Sequence, residues 1–178
     1  METIAVTGPR QITAEQREQA LQELELLRRY PNWLVGDAAG LDALAQTVAQ
    51  THTLNIQVYE KRSDLPHRAQ GAERSTRMVK ALAAVGGTLH AWPNKPAPAK
   101  LEPSRSWPTG AAGSGTWGTV ALAVGLDLSV ELSRRSELNT QIRLTICHPR
   151  VIVDRSSAHA VCSCALSRNS AFTQAHLP

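Results

Sequence analysis

Four short stretches carry the residue types that grip an anion. They are "VTGPR", ending at Arg10, "VGDAAGLDALA" from Val35 to Ala45, "GAERSTRMVKAL" from Gly71 to Leu82, and "GAAGSGTWGTV" from Gly110 to Val120. In the second, Gly36 and Gly40 permit a turn and a close backbone approach, and the helix start that follows offers unpaired backbone N–H groups. Asp37 and Asp42 either cap that turn and helix or accept a hydrogen bond from a ribose hydroxyl. Arg74 is read as lying in the first turn of a helix, where a cation opposes the macrodipole and so needs an anionic partner. Arg77 and Lys80 fit a solvated face. In the last stretch Gly113, Ser114, Gly115 and Thr116 make a phosphate-cradling loop at a helix start, with Ser114 serving equally well as a plain N-cap. No Lys follows in the Walker position. Gly8 and Arg10 add a turn and a guanidinium able to bind phosphate in bidentate fashion.

Other chemistries find less support. Cys147, Cys162 and Cys164 lie near His159, but the Cys-Ser-Cys spacing does not match a zinc knuckle, and no metal is expected. There is no Gly-x-Ser-x-Gly nucleophile turn.

The elements that must position these residues follow from periodicity. "TIAVTG" reads as a buried strand. The next segment opens with Thr13 and Gln16 in capping-box spacing, and continues as a helix with Ala20, Leu21, Leu24 and Leu27 on one face. "NWLVG" is a second strand, "LDALAQTVAQTH" a second helix and "LNIQVYE" a third strand. A polar loop is expected from Lys61 to Gln70, then a helix ended by Gly86 and Gly87. "TLHAWP" is a fourth strand, followed by a Pro-, Lys- and Ser-rich loop from Pro93 to Pro108, of a length that is usually functional or disordered. A helix from about Ser114 to Val124 and a strand, "LDLSVEL", complete the series. This alternation predicts an α/β, Rossmann-like three-layer sandwich with a mainly parallel five-stranded sheet. The glycine loops then fall at the carboxyl ends of strands, where such sheets bind ligands.

The expected domains are residues 1–133 as this Rossmann-like unit and 134–178 as a C-terminal extension, with a hairpin over "LTICHPRVIVD" and then poorly ordered chain. A net charge of +4 and a pI near 9.3 favour anionic partners without the block of Lys and Arg that marks a nucleic-acid stripe. An aromatic fraction of 4% leaves few side chains for stacking bases. No apolar run approaches the roughly 20 residues of a membrane span. The odd cysteine count without a secretory leader points to a reduced, cytoplasmic protein.

The ordered set "VTGPR", "VGDAAGLDALA", "GAERSTRMV" and "GSGTWGTV", covering Thr3 to Leu132, resembles the SLOG superfamily. This Rossmann-like group includes the DNA-processing protein DprA and the LOG phosphoribohydrolases, and the likeness is greatest to its small bacterial and phage members. The resemblance implies that a nucleotide or nucleotide-derived ligand is held among Gly8, Arg10, Gly36, Asp37, Gly40, Asp42, Arg74, Gly113, Ser114, Gly115 and Thr116, by a sensor or by an enzyme acting on that ligand. Two departures matter. Relatives commonly follow the motif arginine with Asn, where this chain has Ser75, and the glutamate that LOG enzymes place after the last Gly-Thr is replaced by Trp117, Gly118 and Thr119. A LOG-like nucleoside monophosphate N-glycosidase would therefore need Glu73, Asp37 or Asp42, beside Arg74, as its catalytic group. The expected partners are a phosphorylated, nucleotide-like small molecule and a second copy of the chain. DprA-like single-stranded DNA binding is an alternative ranked lower, and no cofactor is expected.

Overall fold

The computed structural model describes residues 2–111 and 113–133. The cysteines, the expected hairpin and the rest of the 134–178 extension lie outside the described residues.

Among the described residues, five short strands alternate with four α-helices. In chain order they are β1 (Thr3–Thr7), α1 (Ala14–Leu26), β2 (Asn32–Gly36), α2 (Leu41–Thr51), β3 (Asn55–Tyr59), α3 (His67–Val85), β4 (Thr88–Ala91), α4 (Gly115–Gly125) and β5 (Ser129–Leu132). All strand pairs are parallel, in the order β3-β2-β1-β4-β5, with Val6 opposite Val35 on one side and His90 on the other. The chain winds outward from β1 to β3, then returns to the other side of β1 at β4. That reversal opens a crevice beyond the carboxyl ends of β1 and β4. Because every connection runs from strand to helix to parallel strand, all four helix N-termini face this same edge.

Alternation along the strands splits the core into two layers. Ile4, Val6, Trp33 and Val35 pack under α1 and α2 against Ala20, Leu24, Leu41 and Val48. Ala5, Leu34, Leu89 and Val130 pack under α3 and α4 against Met78, Leu82, Trp117 and Leu122. The capping box forms, with the Gln16 N–H donating to Thr13 Oγ1 at 3.3 Å and the Thr13 N–H to Gln16 Oε1 at 3.2 Å.

Three local expectations are corrected. Leu21 does not join the core and is 38% exposed, because the buried line runs through Ala20, Leu24 and Leu27 and Leu21 lies to one side of it. Helix α3 starts at His67, with Pro66 as its N-cap, so the polar loop ends four residues early. Proline's fixed φ suits that entry, and Arg74 consequently sits in the third turn rather than the first. Finally, the long Pro93–Pro108 loop is a packed cover over α4. Trp107 fills the space a side chain on Gly118 would take, Ser104 does the same at Gly125, and the Ser104 N–H donates to the Ala121 carbonyl at 3.1 Å. An almost wholly apolar helix needs that second cover, and Thr116 through Val124 are all buried.

Candidate functional site

The carboxyl edge brings together the ends of β1, β2 and β4 and the first turns of α2 and α4. The Leu41 N–H donates to the Pro9 carbonyl at 3.1 Å, which fastens the β1 loop to the start of α2. Gly40, at φ 79°, is the N-cap of α2 and gives it no side-chain cap. The glycines of these two loops serve packing. A Cβ on Gly8 would strike Leu41, and one on Gly36 would overlap Arg74 Nη1 and Asp42 Oδ2.

Arg74 does not present its guanidinium to an incoming anion. It is 7% exposed and donates from Nη1 to Asp42 Oδ2 at 2.7 Å and to Asp37 Oδ1 at 3.4 Å. Its Nη2 lies 3.5 Å from the Ser75 hydroxyl, and its buried Nε has no hydrogen-bond partner among the described residues. The reading of Arg74 from the helix dipole rested on a helix start that lies elsewhere; the buried carboxylates explain the residue instead. Asp42 is not the N-cap of α2 either, since its Oδ2 accepts the Ala38 N–H at 3.4 Å inside the turn. Burial pushes the Asp42 carboxyl above its usual value, and the charge of Asp37 adds to that. The Arg74 pair and the Ala38 N–H pull the other way without cancelling it.

Of the carboxylates near Arg74, Asp42 is sealed, Glu73 keeps 25% of its side chain exposed and Asp37 23%. Asp37 Oδ2 accepts the Lys61 N–H at 2.8 Å, and the Lys61 ammonium lies 3.9 Å from Oδ1. Glu73 turns to Arg77, its Oε1 accepting from Nε at 2.6 Å, and the Arg77 guanidinium lies 5.9 Å from the centre of the Tyr59 ring.

The last glycine loop behaves differently from the others. Ser114 caps α4, its hydroxyl accepting the Trp117 N–H at 3.3 Å. The Gly118 N–H takes the Ser114 carbonyl at 2.9 Å, which leaves the N–H groups of Gly115 and Thr116 without an acceptor among the described residues. Positions Gly113 (φ 77°) and Gly115 face open space, with no atom within 4 Å of where a Cβ would stand. Lys95 is tied to this turn, because its backbone carbonyl accepts the Trp117 indole N–H at 2.8 Å. Its exposed ammonium has no ion-pair partner among the described residues. Arg10 is exposed and equally unpaired, and it leans from the end of β1 towards the start of α3, its Nη2 3.3 Å from where a Cβ on Gly71 would stand.

Sequence reasoning missed Lys95, whose role depends on the fold of the covering loop. It also missed a narrow, half-open groove on the α1 side of the same edge, lined by Ile12, Gln19, Ala20, Glu23, Leu41 and Trp92 among others. The available signal was Gln19 and Glu23 one helical turn apart, with Trp92 just past the end of a strand.

No protein-family model and no curated protein matches the chain. Among solved structures, it is similar to DNA processing protein A from Helicobacter pylori, described for its single-stranded DNA binding mode, with 16% identity and a TM-score of 0.48 over 76% of this chain and 67% of that one. It is also similar to DNA processing protein A from Streptococcus pneumoniae, with 14% identity and a TM-score of 0.51 over 78% of this chain and 52% of that one, so it spans about half the length of the latter. The all-parallel five-stranded sheet and its flanking helices are thus a Rossmann-like α/β fold of the kind found in DNA processing protein A.

Proposed function

We propose that the protein binds a phosphorylated, nucleotide-like small molecule at the carboxyl edge of its sheet, with the phosphate on the first turn of α4. The observation that carries this reading is the open backbone at Gly113 and Gly115 beside two N–H groups without an acceptor among the described residues, with the ammonium of Lys95, also unpaired among them, tethered to the same turn. Helix N-termini favour anions through both the exposed N–H groups and the macrodipole. Arg10 supplies a second, movable cation to the same edge. Asp37, partly exposed past the end of β2, is a carboxylate available to a ligand hydroxyl. An N-glycosidase reading requires Asp37 or Glu73, because Asp42 is buried.

Single-stranded DNA binding uses the same phosphate chemistry and ranks second. No Trp or Tyr is fully exposed among the described residues, so a platform for successive bases is missing there.

The test is calorimetric titration of the full chain with ribose 5-phosphate and nucleoside monophosphates, repeated on Gly115→Ala. That methyl group meets no protein atom, so the fold should stand while phosphate binding weakens about tenfold or more, as expected for displacing charge-assisted hydrogen bonds. Unchanged affinity in the variant would remove α4 as the phosphate site. Tight, salt-dependent binding of single-stranded DNA with none of the mononucleotides would favour the second reading.

A further inference from the structure

The groove on the α1 side of the switch point has no role in phosphate recognition, yet it lies across the same crevice from the α4 turn. Its walls are apolar, formed by Ile12, Ala20 and Leu41 with the ring of Trp92. Three polar side chains line it from α1; Gln16 is engaged in the capping box with Thr13, which leaves Gln19 and Glu23, one helical turn apart on one face. Glu23 is held in place, because the Trp92 indole N–H donates to its Oε2 at 2.7 Å. Its Oε1 accepts nothing among the described residues, and neither does the Gln19 amide make a hydrogen bond there. The groove is shallow and half-open, with a cavity volume of about 40 Å³. A flat ring would lie against it with one edge in solvent.

We propose that this groove receives the base of the ligand, and that it selects a base carrying an exocyclic amine beside an unprotonated ring nitrogen, the pattern of adenine and cytosine. The proposal rests on the phosphate reading above. The anionic Glu23 Oε1 accepts only, so it takes the amine N–H and repels the carbonyl oxygen that hypoxanthine or uracil presents at the same place. The Gln19 amide then donates to the neighbouring ring nitrogen. The ring lies against Trp92 and Leu41, and the rest of the ligand crosses between β1 and β4 to the α4 turn.

The experiment compares ribose 5-phosphate, AMP, CMP, IMP and UMP on the full-length protein, its Glu23→Gln variant and its Gln19→Ala variant. Glu23 and Gln19 are surface-facing helix residues, and an unchanged melting temperature checks that both variants fold. The expected result is that AMP and CMP bind roughly 5- to 150-fold more tightly than IMP and UMP, the discrimination of a two-point base contact. That preference should collapse in Glu23→Gln while ribose 5-phosphate binding stays as it was. Equal binding of AMP and IMP, or of AMP and ribose 5-phosphate, would overturn the base groove and leave the phosphate site standing. So would a preference that survives in Glu23→Gln. If neither ribose 5-phosphate nor any nucleotide binds, the phosphate reading fails and the groove proposal falls with it.

Discussion

At the scale of single residues, the centre of the molecule is an ion triad rather than an anion grip. Arg74 joins Asp42 on α2 and Asp37 past the end of β2, and so ties α3 to the turn beneath it. Breaking a buried pair by deleting one partner leaves the other charge desolvated, which costs about 3–5 kcal/mol. Arg74→Ala should therefore lower the unfolding free energy by about 3 kcal/mol or more in chemical denaturation. Arg77→Ala removes a half-exposed pair one helical turn from Glu73 and should cost under about 1 kcal/mol. Equal losses would show that the Arg74 cluster is solvated. The same pairing explains why the residue after the turn must be an acid and why Gly36 can bear no side chain.

At the scale of elements, the glycines divide by what surrounds them. Those at 36, 118 and 125 mark places where another side chain or strand of backbone occupies the missing Cβ, while Gly115 begins α4 in open space. Two alanine substitutions should therefore act in opposite directions. Gly36→Ala must displace Arg74 and Asp42 and should destabilise by about 1–3 kcal/mol or more, the usual cost of overpacking. Gly115→Ala should be neutral or stabilising by up to about 1 kcal/mol, since alanine is the better helix former. Thermal unfolding of the two variants checks this. A Gly115→Ala variant that melts early would mean the turn has a constraint its backbone does not display.

At the scale of the whole molecule, the five strands of the described residues end at Leu132 and both faces of their sheet carry helices. A chain ended after Ser133 should then unfold in one cooperative transition and keep its affinity for ribose 5-phosphate. Non-cooperative melting would show that the 134–178 segment is part of the folding unit. The order of elements, the parallel sheet and the α1 capping box were legible in the chain, because they depend on local periodicity and on neighbours three or four residues apart. The three glycine loops after β1, β2 and β4 were legible as one edge, because the βα turns of a parallel sheet share it. What each of them does there was decided by tertiary contacts. Whether Arg74 meets a ligand or Asp42 depends on residues 32 positions apart, and the start of α3 at His67 moved that arginine from the first turn to the third. Whether a glycine is there for packing or for approach depends on the loop that returns over α4. Pairings across such distances leave no period in a single sequence, since burial and charge satisfaction are settled only when separate elements meet.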